Sequence, residues 1–256
     1  MNKVSLFLTT LALGAAAVLQ TGCQSCCSGS CPMPAKTAKA AASVSLFDGK
    51  TLAGWAGLSD HWTVKEGAIT GYTEQGNPLK QNTFLVWTNG TVDNFELRFK
   101  YKILPLNNVG FANSGVQYRS KIVDPAAFVV GGYQADFEAG TTYSGILYEE
   151  RGRGILAERG TRTRITEENG ATKIYKMGDL APSAELQANI HAGEWNDYLI
   201  IADGNHLMHF INGRMTIEVV DEQSAKAAKT GILALQVHAG PPMQVQFKDM
   251  MLKKLP

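Results

Sequence analysis

Apolar and polar residues alternate one by one along much of this chain. The run Phe95-Glu96-Leu97-Arg98-Phe99-Lys100-Tyr101-Lys102-Ile103 keeps the alternation without a slip. That is the pattern of an antiparallel strand with one buried and one solvated face. Shorter runs of the same kind occur at 45–52, 62–69, 84–87 and 113–120, broken by Asp48-Gly49 and Glu66-Gly67 turns. From Trp195 to Val219 the pattern predicts a three-strand meander, turning at Asp203-Gly204-Asn205 and at Asn212-Gly213. A final strand pair is expected at 231–238 and 244–250. Between Arg162 and Ala192 the order is irregular and polar, with Asp179, Pro182 and Ser183 as breakers, and reads as a long loop or a patch of short strands. Only Ala225 to Lys229 reads as a helical turn. Many short strands with almost no helix predict an all-β, two-sheet antiparallel sandwich.

The first residues follow a different rule. Asn2-Lys3 precede an apolar stretch, Leu6 to Leu19, too short to span a bilayer comfortably, and the chain then reaches Leu19-Gln20-Thr21-Gly22-Cys23. This is similar to a bacterial lipoprotein leader, cleaved after residue 22 with lipid carried on Cys23; an ordinary cleaved signal peptide is the alternative. With Gln24 next to the cysteine, the expectation is a lipid anchor in the outer membrane, facing the periplasm. The domain boundaries are then a leader at 1–22, a lipidated cysteine and linker at 23–44, and a single domain at 45–256. All four cysteines, Cys23, Cys26, Cys27 and Cys31, fall in the linker, so the domain has no disulfide to rely on. Lys and Arg total 24 against 23 Asp and Glu, a net charge of +1. That balance excludes the one-sided basic field of a nucleic-acid-binding protein.

Chemistry-bearing side chains concentrate between Gly132 and Gly154. Period two places Gln134, Asp136 and Glu138 together on one strand face. A second short strand then runs through Tyr148 into Glu149, Glu150, Arg151 and Arg153. Elsewhere Gln117 and Arg119 share a face, as do Gln236 and His238, and His238 is the best single acid–base candidate. Acids and arginines alternating outward also describe an ordinary solvated face. His206 and His209 fall on opposite faces of one strand and read as surface histidines, while Trp55, Trp62 and Trp87 read as core.

The ordered set LFDGKTLAGW, WTVKEGAI, NSGVQYR, GYQADF, SGILYEERGRG, EWNDYLI, FINGR and GILALQVHAG, closing on QFKDMML, resembles the 3-keto-disaccharide hydrolase domain family over about Ser45 to Leu255. The resemblance implies a concanavalin A-like jelly-roll sandwich with a ligand cleft on one sheet. It also implies exported proteins that act on glycosides already oxidised at C3, and hence a separate glycoside 3-oxidoreductase that supplies the substrate. Many members carry Glu and Gln where this chain has Gln134 and Asp136. This sequence resembles a branch with GYQAD followed by an LYEE-type stretch.

A ketone at C3 acidifies the hydrogen on C2, so one base, one acid for the leaving oxygen and a positive or donor group by the enolate suffice for cleavage. On this reading His238 or Asp136 is the base, Glu149 or Tyr148 assists the leaving group, and Arg119 or Arg151 stabilises the enolate. Asn113, Gln117, Gln134, Glu138, Arg153 and Gln236 bind sugar hydroxyls. A divalent metal on Asp136, Glu138 and His238 is an alternative electrophile. Two other function classes stay open: a non-catalytic carbohydrate-binding module, and a glycosidase whose two carboxylates are Glu138 and Glu149.

Overall fold

The computed structural model describes residues 42–256. The leader, the Cys23 lipidation site, the cysteine cluster and the linker up to residue 41 lie outside the described residues. In chain order the elements are β1 (Val44–Ser45), β2 (Trp55–Ala56), β3 (Trp62–Lys65), β4 (Ala68–Thr73), β5 (Thr83–Trp87) and β6 (Phe95–Pro105). Next come β7 (Asn113–Asp124), β8 (Val129–Glu138), β9 (Leu147–Glu150), β10 (Gly154–Ala157), β11 (Thr161–Glu168) and β12 (Ala171–Asp179). A short helix α1 (Ser183–Ala188) precedes β13 (Asn196–Asp203), β14 (His206–Ile211), β15 (Arg214–Asp221), β16 (Ile232–Val237) and β17 (Met243–Lys254).

Two sheets face each other. One has ten strands in the order β12-β11-β15-β14-β13-β6-β17-β4-β3, with β1 paired to β17; the other has seven, in the order β10-β9-β8-β7-β16-β5-β2. All pairs are antiparallel except β11 with β15. This is the two-sheet sandwich that the alternating pattern predicts, and the jelly roll that the resemblance implies. In β6, Phe95, Leu97, Phe99, Tyr101 and Ile103 turn inward while the charged residues between them stay at least partly solvated. The inward residues pack against Tyr118, Tyr133 and Phe137 of the facing sheet, with Tyr101 and Phe137 stacked at 4.0 Å between centroids. Trp55, Trp62 and Trp87 lie in this core. With no disulfide in the domain, such burial carries its stability.

Three sequence expectations change. The irregular stretch after Arg162 holds the hairpin β11–β12, turning on Asn169-Gly170 with both residues at positive φ, followed by α1. The hairpin ends the ten-stranded sheet and leaves β12 mostly exposed, so its polarity gave no strand alternation. His209 is fully buried in the core, its Nε2 3.0 Å from the Tyr118 hydroxyl and its Nδ1 3.3 Å from that of Tyr198. The third concerns β8, whose outward polar residues are not solvated: Gln134 and Asp136 are buried on the outer face, as are Gln117 and Gln236 on the strands beyond. Buried polar side chains on the outside of a sandwich mark a covered, organised surface.

Candidate functional site

The site is built on the outward face of the seven-stranded sheet. Register decides who shares that face. Gln117 stands opposite Gln134, Gly115 opposite Asp136 and Asn113 opposite Glu138. Across β8, Gln134 stands opposite Tyr148, so Tyr148 and Glu150 share its face while Glu149, opposite Tyr133, turns into the sandwich. Gly115 leaves the space these side chains use, since a Cβ there would meet Gln134 Cγ at 2.5 Å and Cδ at 2.7 Å.

A cleft of ≈280 Å³ opens over these strands. Asn82, Asn113, Gln134, Asp136, Glu150, Gln236 and His238 form its polar lining, and Tyr143, Ile146, Tyr148 and Ile155 form an apolar one. The amides are strung in one direction. Ser120 Oγ donates to Gln117 Oε1 (2.7 Å), Gln117 Nε2 to Gln134 Oε1 (2.8 Å), Gln134 Nε2 to Gln236 Oε1 (3.5 Å) and Gln236 Nε2 to Glu150 Oε2 (3.4 Å). Such a chain lets each donor polarise the next. Asn82 Nδ2 also reaches Glu150 Oε2 at 3.5 Å, and its Oδ1 accepts from the Ala239 amide at 3.0 Å.

The two carboxyls of the cleft sit in different surroundings. Asp136 is fully enclosed, and desolvation raises its pKa well above the usual carboxylate range against one side-chain donor, Asn113 Nδ2 at 3.1 Å. Glu150 is raised too, by burial, and is held back by Asn82 and by Arg151. Two carboxyls pushed to different degrees can take different proton-transfer roles. His238 completes the set. Its Nδ1 lies 2.5 Å from the Ala239 carbonyl, which can only accept, so Nδ1 carries the proton and Nε2 is the basic nitrogen. Burial lowers its pKa from the usual imidazole value, which keeps it neutral at pH 7. The ring is braced edge-on by Phe111 at 5.3 Å, and Asn107 pins Phe111 by donating to its carbonyl (2.7 Å) and accepting from its amide (3.2 Å).

Several candidates lie elsewhere. Glu138 keeps to the outward face, but its Oε1 accepts from the Thr142 and Tyr143 amides at 2.6 and 2.8 Å, fixing the loop that presents Tyr143. Arg159 clamps the same loop through the Ser144 and Thr141 carbonyls. Gln117 is buried beneath the cleft and supports Gln134 without lining it. Arg119 is turned away by a bulge between Tyr118 and Lys121 and by its own positive φ of 47°. Its guanidinium is spent on the carbonyls of Asp93 and Gly204 and on Asn94 Oδ1. Glu149 and Arg153 form a buried pair, extended by Asp221 at 2.7 Å and Tyr133. Arg151 sits outside the cleft, half-exposed, with Nη2 on Gln81. Neither arginine chosen for the enolate therefore lines the cleft, and Glu138 and Glu149 do not assemble as a facing pair. Asp136, Glu138 and His238 do not fit a metal either: with Glu138 committed to its loop, no group of three ligating side chains exists among the described residues.

Glu150, Asn82, Tyr143 and Ile155 are cleft residues that the sequence reading did not choose. Alternation from Tyr148 points to Glu150 and away from Glu149. Asn82, in a loop far along the chain, has no local signal.

A two-sheet jelly roll with an acid- and amide-lined cleft on one outward face defines a carbohydrate-active type of domain. The chain belongs to the family of 3-keto-α-glucoside-1,2-lyase-like domains, whose model matches residues 42–253. A candidate glycosyl hydrolase from Parabacteroides distasonis has a similar fold, at 18% identity and a TM-score of 0.53 over 84% of this chain and 94% of that one. A second from the same organism is 15% identical, with a TM-score of 0.54 over 84% and 100%. A Bacillus subtilis protein of unknown function with a galectin-like fold is 12% identical, with a TM-score of 0.50 over 79% and 90%. No curated protein matches the sequence.

Proposed function

We propose that the protein cleaves 3-keto-glycosides by elimination followed by hydration. The observation that carries this reading is His238, a neutral base with a fixed tautomer, set in one small cleft with the buried Asp136 and with Glu150. His238 Nε2 takes the C2 proton, and the C–H electrons pass to the C3 oxygen as an enolate. Asp136, protonated through its raised pKa, and the amide of Asn113 donate to that oxygen. The enolate collapses, C3=O re-forms, C1=C2 forms, and the C1–O bond breaks as Glu150 protonates the leaving oxygen. The products are a 2-hydroxy-3-keto-glycal and a free alcohol. Water then adds across C1=C2, its hydroxyl going to C1 and its proton to the Glu150 carboxylate, while the His238 proton returns to C2. Gln134 and Gln236 hold sugar hydroxyls, and Tyr148 and Tyr143 offer faces to the ring.

The ketone has to be made beforehand, so a separate enzyme that oxidises the C3 hydroxyl supplies the substrate. The leader and Cys23 support export and a lipid anchor facing the periplasm.

The test is leaving-group release from a 3-keto-glucoside and from its unoxidised parent, with wild-type protein and with His238→Gln. The expected result is turnover of the keto substrate alone, lost in the variant, with deuterium from solvent entering C2. Cleavage of the parent would replace this reading with a two-carboxylate glycosidase. Saturable binding of the keto sugar without turnover would replace it with a binding module.

A further inference from the structure

A second cavity, of ≈620 Å³, opens at one end of the sandwich, between the ends of β7, β8 and β9 and the 225–230 loop. Five cations, Arg119, Lys121, Arg151, Arg153 and Lys226, line it against two carboxylates, Glu149 and Glu150. Both carboxylates are already engaged. Glu149 is chelated by Arg153, at 2.8 Å from Nε and from Nη2, and Glu150 accepts from Gln236 and Asn82 in the cleft. Arg119 and Arg153 are likewise saturated by protein partners. What remains are Lys121 and Lys226, with Arg151 beside them half-exposed and already held by Gln81 and, at 4.0 Å, by Glu150. Neither lysine forms an ion pair among the described residues. In a chain whose net charge is only +1, this is a local concentration of unspent positive charge.

Gly131, Gly132 and Gly152 line the cavity, and a Cβ on Gly132 would meet Ser120 Oγ at 2.5 Å. Val123, 49% exposed, and Ala225 add a small apolar wall. Exposed ammonium groups and a guanidinium around one concavity are a means by which proteins hold an oxyanion.

The cavity and the cleft have one residue in common, Glu150. At ≈280 Å³ the cleft falls below the roughly 300–1,000 Å³ of pockets that engulf a drug-sized ligand, so it takes one sugar ring and leaves the aglycone outside. We infer that the basic cavity is a second ligand site, which binds an oxyanion, the carboxylate or sulfate of an acidic leaving group whose sugar occupies the cleft. The leaving-group part rests on the proposed function; the anion site does not.

Calorimetric titration of the intact protein with sodium sulfate, at constant ionic strength, tests the site directly. The expected result is saturable binding, weakened at least tenfold in the double variant Lys121→Ala/Lys226→Ala, whose melting curve stays that of the wild type because both side chains are exposed. Absence of saturable binding, or equal binding by the variant, overturns the inference. A 3-keto-glucoside with a carboxylated aglycone, compared with its methyl ester, then identifies the source of the anion. A KM at least fivefold lower for the acid, with the difference lost in the double variant, assigns the cavity to the leaving group. Sulfate binding with equal KM values overturns that assignment and leaves a site for a free anion. If neither glucoside is turned over, the proposed reaction falls while the sulfate titration still decides the site.

Discussion

Asn113 Nδ2 stands 3.1 Å from Asp136 Oδ1, and it is the side-chain donor that meets a carboxyl otherwise enclosed by the sheet. A folded-state pKa raised above the unfolded value means that, between the two, the unfolded chain has released a proton the folded one still holds. Stability therefore falls as pH rises through that window. Asp136→Asn keeps a donor toward the enolate oxygen but a weaker one, so it should lower kcat by about 10²-fold and yet stabilise the protein at pH 8, by about 1–2 kcal/mol. Urea unfolding at pH 5 and pH 8 measures this, and the gain should shrink at the lower pH.

His238 and the two carboxyls of the cleft shape the rate profile. His238 has to be neutral to act as base, and its pKa is lowered, so the acid limb of kcat/KM should lie below the ordinary imidazole value of 6.5. Asp136 and Glu150 both have to be protonated to donate, so the alkaline limb follows whichever of them loses its proton first. Rates from pH 4 to 10 should trace a bell, and in Asp136→Asn the alkaline limb should follow Glu150 alone.

Glu149 and Glu150 are neighbours in the chain with opposite duties. Glu150→Gln should cut kcat by about 10²-fold or more while leaving the melting temperature nearly unchanged. Glu149→Gln removes a partner from the buried Arg153 and should destabilise by about 3 kcal/mol, with kcat of the folded fraction close to that of wild type. Turnover and thermal melts on the pair separate the two effects.

That contrast also shows where reading the chain stops. The strands of β6, the meander β13–β15 and the pairing of faces in β7, β8 and β16 follow from period-two alternation, because each has one mostly apolar side. Gln134, Asp136, Gln236 and His238 come together as the alternation implies. Arg119 breaks the rule because a bulge inserts extra residues and reverses its direction, and bulges leave no mark on an apolar–polar pattern. Arg153 misleads for another reason: a charged residue after a turn looks solvated until Asp221, distant in sequence, is seen beside it. Asn82 reaches the cleft only through the tertiary packing of its loop.

Gly115→Ala probes the packing of the floor. The added methyl has no room beside Gln134, whose Cγ would lie 2.5 Å away. The expected cost is about 1–3 kcal/mol of stability, together with loss of keto-glucoside turnover as Gln134 is displaced from Gln236. Denaturant midpoints and KM values for the substrate check both parts.

His209 makes the core sensitive to acid. Desolvation lowers its pKa from 6.5 to about 3, so between these values the unfolded chain binds a proton that the folded one refuses. Stability should fall as pH drops through that window, by a few kcal/mol in total. His209→Gln should lower stability at pH 7, where the Tyr118 and Tyr198 hydroxyls lose their partner, yet show a shallower decline from pH 6.5 to 4. Urea midpoints for both proteins across that range give the comparison.

The short strand β1 lies against β17, with Val44 opposite Leu252 and Ser45 opposite Met251. Entry and exit of the domain are thus side by side on the ten-stranded sheet, and the aromatic core separates them from the sheet that bears the cleft. Both ends of the described domain thus lie on the sheet opposite the one that bears the cleft, and a fusion or tag added at either end starts from the far side of the sandwich.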